Sequence, residues 1–128
     1  ALARASSYAS ERVVFDVPIG AHQAVQHPLA EGYVALEGAW ALITAAAGRH
    51  DGGEQAGLEA NVAKVAACDA GLRAADAALQ AFGGSGFTDE TGILQRYVYL
   101  RLLRTVPVAR ELALNHIATS GLGLPRSY

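Results

Sequence analysis

Between Ala21 and His50 the bulky apolar residues fall at Leu29, Tyr33, Leu36, Trp40 and Ile43, steps of four and three that set them along one stripe of a helix. The spacing predicts a long helix with that stripe as its core face. Pro28 lies in its first turns, where a proline removes a backbone donor and crowds the preceding turn, so it either kinks the axis or marks the true start. The stretch "AGRHDGGEQAG" breaks the pattern with paired glycines, and a second seam follows at Leu58, Val62, Val65, Cys68, Leu72, Ala75, Leu79 and Phe82. Gly83 or Gly84 closes this helix by taking the left-handed conformation. Behind a cap at Thr88 or Asp89, the residues Ile93, Tyr97, Leu100 and Leu103 give a third apolar face, halted near Pro107. A fourth helix over 108–120 ends at the glycines and proline of "GLGLPRSY". Residues 1–15 are helical in pattern, with no capping residue ahead of Ala1. No segment predicts a strand, since "RVVFDVPIG" is too short and too proline-limited to found a sheet. The expected fold is all-α, an antiparallel up-down four-helix bundle with helices of about twenty-five residues, or roughly 40 Å.

Composition narrows the picture. With 128 residues the chain makes one domain, residues 1–128, large enough to bury a core without disulfides or metals. A formal net charge of −2 and the lack of any Lys/Arg run speak against a nucleic-acid partner. The single cysteine, Cys68, has no internal disulfide partner and reads as a small buried hydrophobe, which suits a reducing cytoplasm. No stretch approaches the length of a membrane span, and the first residues lack the charged start and apolar middle of a signal peptide. The expectation is a soluble, cytoplasmic protein with no membrane partner.

Candidate chemistry is sparse. His22 and His27 are five apart and off one another's face, His50 is in a loop and His116 stands alone, so no metal site is expected. No serine sits in a nucleophile elbow. The segment "ERVVFDVPIGAHQ" places Arg12 and Phe15 three apart at the end of the first helix, then a turn, then His22 and Gln23 at the start of the next. The segment "QAFGGSGF" puts Gln80 ahead of three glycines, more than a helix cap needs. An arginine, side-chain amides and backbone free of Cβ atoms together suit a pyrophosphate.

On these residues the chain resembles the C-terminal helical domain of the acyl-CoA dehydrogenases. The family pattern Glu-Arg-x-x-Phe-Gly, then Gln, Leu-Ala, Ala-Lys and Gln-x-x-Gly-Gly-x-Gly-aromatic stands here as Glu11-Arg12, Phe15, Gln23, Leu29-Ala30, Ala63-Lys64 and Gln80 through Phe87. The resemblance implies an FAD-dependent enzyme of α,β-dehydrogenation of an acyl-CoA thioester, with a dimer-of-dimers assembly and an electron-transfer flavoprotein-type acceptor. It implies that Arg12, Phe15, His22, Gln23, Gln80, Gly83 and Gly84 hold the pyrophosphate and adenosine of a neighbouring subunit's flavin. It also implies N-terminal helical and middle β domains absent from this chain, which alone would be inactive.

Three departures matter. Asp16 replaces the family glycine after Phe15, Val98-Tyr99 replaces an Arg-Asp pair, and Pro107-Val108-Ala109 stands at the Glu-Gly-Thr that carries the catalytic base. Proline has no proton-accepting side chain, so no catalytic residue is assigned in this chain, and Glu111 reads as an exposed helix carboxylate. The tail "GLGLPRSY" resembles that of an actinobacterial subgroup that includes heteromeric acyl-CoA and steroid dehydrogenases, which implies fatty acid or steroid degradation. The alternative reading is a non-catalytic partner subunit of such a heteromer.

Overall fold

Small residues, not the bulky stripe, bring the two longest helices together. The computed structural model describes residues 1–127, with helices α1 (Leu2–Glu11), α2 (Gln23–Asp51), α3 (Gly57–Phe82), α4 (Ile93–Leu103) and α5 (Arg110–Leu122). On α2 the buried positions Gly32, Ala39 and Ala46 recur every seven residues and face the alanine-rich surface of α3. A Cβ on Gly32 would lie 3.2 Å from the Ala74 Cα, so the backbones approach where no side chain intervenes. At the other end of the pair, Ala46, Ala47 and His50 line one groove with Ala56, Gly57 and Ala60. The two helices therefore run antiparallel, and the register that sets Gly32 against Ala74 brings Gln23 level with Gly83.

Helix α3 is the centre, packed against by α1, α2, α4 and α5. Neighbours on several sides explain its buried run of Cys68, Ala70, Gly71, Ala74, Ala75, Ala77 and Ala78. Even at Gly71 a Cβ would sit 3.1 Å from a methyl of Leu100. The main core cluster gathers Ala5, Ala9, Leu29, Ala77, Ala78 and Ile93, which ties α1, α2, α3 and α4 together at one end.

The all-α class holds, with several local corrections. The α2 stripe does not face a core within this chain: Leu29 is buried, but Tyr33 is 58% exposed and Trp40 66%. Periodicity identified the stripe but not what covers it, and α3 takes the adjacent small-residue stripe because close backbone approach needs it. Helices α4 and α5 have 11 and 13 residues, short of the about twenty-five expected for the bundle in general but close to the limits their own apolar faces and stops set. Helix α4 starts behind Gly92 in the left-handed conformation, while Thr88 donates to the Ser85 carbonyl at 2.9 Å and caps no helix. Helix α2 runs through Pro28, which does not mark its start.

The first helix ends at Glu11, and the segment that predicted no strand forms a short antiparallel ribbon of β1 (Val13–Val14) and β2 (Val17–Pro18). Phe15 and Asp16 make its turn with φ of +51° and +63°. A turn with both central residues left-handed matches the twist of a two-stranded ribbon, and a ribbon this short leaves no periodicity to read. Arg12 and Phe15 thus lie on a cap and a turn, not on a shared helix face.

The α2–α3 contact yields a paired expectation for the chain in urea. Gly32→Leu drives a side chain into the Ala74 backbone and destabilises by about 1–3 kcal/mol. Gly38→Ala, where a Cβ meets nothing within 4 Å, stabilises by about 0.5–1 kcal/mol through helix propensity.

Candidate functional site

The tips of three elements share one end of the molecule. Tyr8 on α1 stacks on Phe82 at the end of α3, ring centroids 4.3 Å apart and planes 16° from parallel. One turn beyond Tyr8, the Arg12 amide donates to the Tyr8 carbonyl at 2.8 Å, and the Arg12 carbonyl accepts from the Ile19 amide at 2.8 Å. The chain then folds back so closely that a Cβ on Gly20 would lie 2.9 Å from the Ala9 carbonyl oxygen. His22 and Gln23 follow at the start of α2, at the level of Gly83 set by the antiparallel register. Gln80 lies in the last turn of α3, just ahead of the glycine turn.

All seven residues expected at the site are exposed: Arg12, Phe15, His22, Gln23, Gln80, Gly83 and Gly84. Among the described residues, no hydrogen bond or ion pair engages the side chains of Arg12, His22, Gln23 or Gln80. The structure brings their elements to one end and leaves them as an open surface.

Two backbone features single out this surface. Phe15 has a left-handed backbone, which costs an ordinary side chain roughly 1–2 kcal/mol, and its ring recovers nothing by burial because it is 90% exposed. Asp16 occupies the second left-handed position, where the family pattern has glycine. Aspartate tolerates that conformation better than most residues, so the backbone demand survives the departure.

The three glycines of the turn have three different reasons. Gly83 adopts φ +56° and ψ −139°, a region that side chains avoid. Gly86 is packed, and a Cβ there would lie 2.8 Å from a methyl of Leu79. Gly84 has neither constraint: its φ is not positive and a Cβ would meet nothing within 4 Å. What Gly84 leaves open faces away from this chain.

A second polar group lies along α3, and sequence reasoning missed it. Lys64 Nζ donates to the carbonyls of Leu103 at 2.6 Å and Val106 at 2.9 Å, and Cys68 Sγ donates to the Leu103 carbonyl at 3.3 Å. Arg110 grips Asp69 with two prongs, its Nε donating to Oδ1 at 2.8 Å and its Nη2 donating to Oδ2. The hydrogen bond to Asp69 raises the already high pKa of the guanidinium. Pro107 is exposed within the linker these contacts hold, and Glu90 and Glu111 are exposed carboxylates. The partners are about forty residues apart in sequence, and Lys64 and Asp69 are two of several charges on α3, so no local pattern marked them.

On α5, Ser120 Oγ lies 3.4 Å from His116 Nε2, and Asn61 Nδ2 lies 3.3 Å from His116 Nδ1, a line that resembles a nucleophile, base and orienter. Its polarity is reversed. Asn61 Nδ2 also donates to the Gly57 carbonyl at 2.8 Å, which fixes the amide as a donor toward Nδ1. Nε2 then carries the proton and donates to Ser120, so the serine is not activated. Among the described residues no three His, Cys, Asp or Glu side chains gather to hold a metal, and no helix is long and apolar enough to cross a membrane.

The chain is thus an alanine-cored helical unit with an open polar end. The description "Acyl-CoA dehydrogenase, C-terminal domain" covers a family pattern matched over residues 1–122, and the chain belongs to that family. Acyl-CoA dehydrogenase FadE12 of Mycobacterium tuberculosis is 45% identical over 100% of this chain and 34% of its own length. Butyryl-CoA dehydrogenase from Megasphaera elsdenii, a solved structure, superposes with a TM-score of 0.89 at 28% identity over 97% of this chain and 32% of its own. The FAD complex of PigA shares the fold with a TM-score of 0.90 at 24% identity, over 96% of this chain and 32% of its own. The chain spans about a third of the length of these relatives.

The glycine assignments are open to a stability test in urea. Gly84→Ala and Phe15→Ala each change stability by less than about 0.5 kcal/mol, because nothing in the chain depends on them. Gly86→Ala costs about 1–3 kcal/mol, because the added methyl has no room against Leu79 and Phe82.

Proposed function

We propose that this chain forms the C-terminal wall of an FAD site in an acyl-CoA dehydrogenase, completed by other segments and by a second subunit. The observation that carries this reading is the exposed, unpartnered set of Arg12, His22, Gln23 and Gln80 around the open glycine turn. These residues fit the cofactor. Arg12 offers a forked cation to a pyrophosphate, His22, Gln23 and Gln80 offer side-chain polar groups, and Gly83 and Gly84 leave the backbone approachable. Phe15, held outward on its strained turn, offers a flat apolar face to the adenosine end. Asp16 works against an anionic ligand through like-charge repulsion, which sets this site apart from the family pattern.

Bound FAD supplies the two-electron acceptor for dehydrogenation of an acyl-CoA thioester. This chain's part is to hold and orient that cofactor. The base that removes the substrate's α-proton comes from another segment or subunit, because Pro107 stands at the family's base position and has no acceptor. The exposed stripe of Tyr33, Val34, Trp40 and Leu42 on α2 supports association with further subunits in a dimer of dimers. An electron-transfer flavoprotein-type acceptor and a cytoplasmic site of action complete the reading. Pro107 also favours a second reading, in which the chain belongs to a non-catalytic subunit that completes a partner's flavin site in a heteromer.

Mutants of the intact protein, assembled with whatever subunit it requires, test the assignment. Arg12→Ala removes a charge-assisted contact worth about 1.5–3 kcal/mol, so FAD binds roughly ten- to a hundredfold more weakly while turnover per bound flavin is kept. Glu111→Ala and Glu90→Ala each slow turnover far less than the roughly hundredfold to ten-thousandfold expected for loss of a general base. Unchanged flavin affinity in Arg12→Ala would contradict the site, and abolished turnover in Glu111→Ala would make Glu111 the base.

A further inference from the structure

The linker between α4 and α5, residues 104–109, is held at both ends and in the middle by side chains of one helix. The last carbonyls of α4 have no helical donors, and Lys64 and Cys68 satisfy the Leu103 carbonyl together. The Lys64 ammonium also lies at the negative end of the α4 dipole and reaches on to the Val106 carbonyl. Arg110 is the first residue of α5, the end where a helix dipole disfavours a cation, so its presence there is explained by the two-pronged grip on Asp69. Arg104 Nε approaches the same carboxylate at 3.8 Å, and the Arg110 amide donates to the Arg104 carbonyl at 2.8 Å, which closes the linker into a ring. Between these ties Val106, Pro107 and Val108 stand exposed.

We propose that Lys64 and Asp69 are positioning residues that hold this linker in one conformation, so that Val106, Pro107 and Val108 form a fixed apolar wall of the acyl site. Partly exposed ion pairs add little to global stability, whereas a forked pair anchored at both linker ends fixes geometry. The placement beside substrate rests on the acyl-CoA reading above. Because the tip carries no proton acceptor, loosening it weakens substrate binding and leaves proton transfer alone.

Two readouts on the intact, flavin-loaded protein decide the matter. In limited trypsin digestion, Lys64→Met and Asp69→Asn accelerate cleavage after Arg104 by about tenfold or more, while cleavage after Arg73 within α3 is unchanged. Lys64→Arg, which keeps cationic donors, restores the slow rate. In steady-state assays with saturated thioesters from butyryl- to palmitoyl-CoA, Lys64→Met raises KM about fivefold and keeps kcat per flavin within about twofold. Equal acceleration at Arg104 and Arg73 would reduce both residues to general stabilisers, and unchanged cleavage at Arg104 would remove the clamp; either overturns the proposal. Faster cleavage with unchanged KM overturns the wall. Absence of turnover by the unaltered protein with every thioester defeats the acyl-CoA reading and the wall with it, while the trypsin ratio still decides the clamp.

Discussion

The close approach of α2 to α3 through Gly32, Ala39 and Ala46 is the constraint on which the rest of the structure depends. Dispersion contacts are individually tiny, and a seam of methyls and glycines gathers many of them by letting the backbones nearly touch. That seam fixes the register, and the register delivers Gln23 to the level of the glycine turn. It also determines what stays outside: with α3 occupied by the small residues, Tyr33 and Trp40 are left facing outward. The same contact thus builds the open polar end and exposes an apolar flank.

Helix α3 serves two surfaces at once. Gln80 and Gly84 lie at its C-terminal tip, and Lys64 and Asp69 lie along its middle. From Lys64 to Gln80 the helix rises about 24 Å at 1.5 Å per residue, so the two surfaces have no shared partners and substitutions in one should add to those in the other. The polar end is open and unpartnered, while the linker is tied by Lys64, Cys68 and Asp69. An open polar surface and a segment tied in place are different physical devices, and both are served by one alanine-rich helix.

Much of this was legible in the sequence, and the gaps have physical causes. The extents of α2, α3 and α4 followed from apolar spacing and from glycine and proline stops, because those signals are local. Burial of Cys68 was legible for the same reason. The Val13–Pro18 ribbon was not, since its turn places Phe15, a residue with no preference for the left-handed conformation, beside Asp16 in that conformation. The core face of α2 was misjudged because bulk marks a stripe without saying which neighbour covers it. The seven residues expected at the flavin site do reach one end of the fold on exposed surfaces, whereas Lys64, Asp69 and Arg110 went unassigned because long-range pairing leaves no local pattern.

We propose the open end formed by Arg12, the Phe15 turn, Gln23 and the glycine turn as a flavin-binding wall. Hydrogen exchange of the intact protein with and without FAD tests it most directly, because it reads every amide at once. FAD is expected to slow exchange over residues 12–23 and 80–88 and to leave the linker at 104–109 unchanged. Protection that appears elsewhere while both of those stretches exchange as before would contradict it.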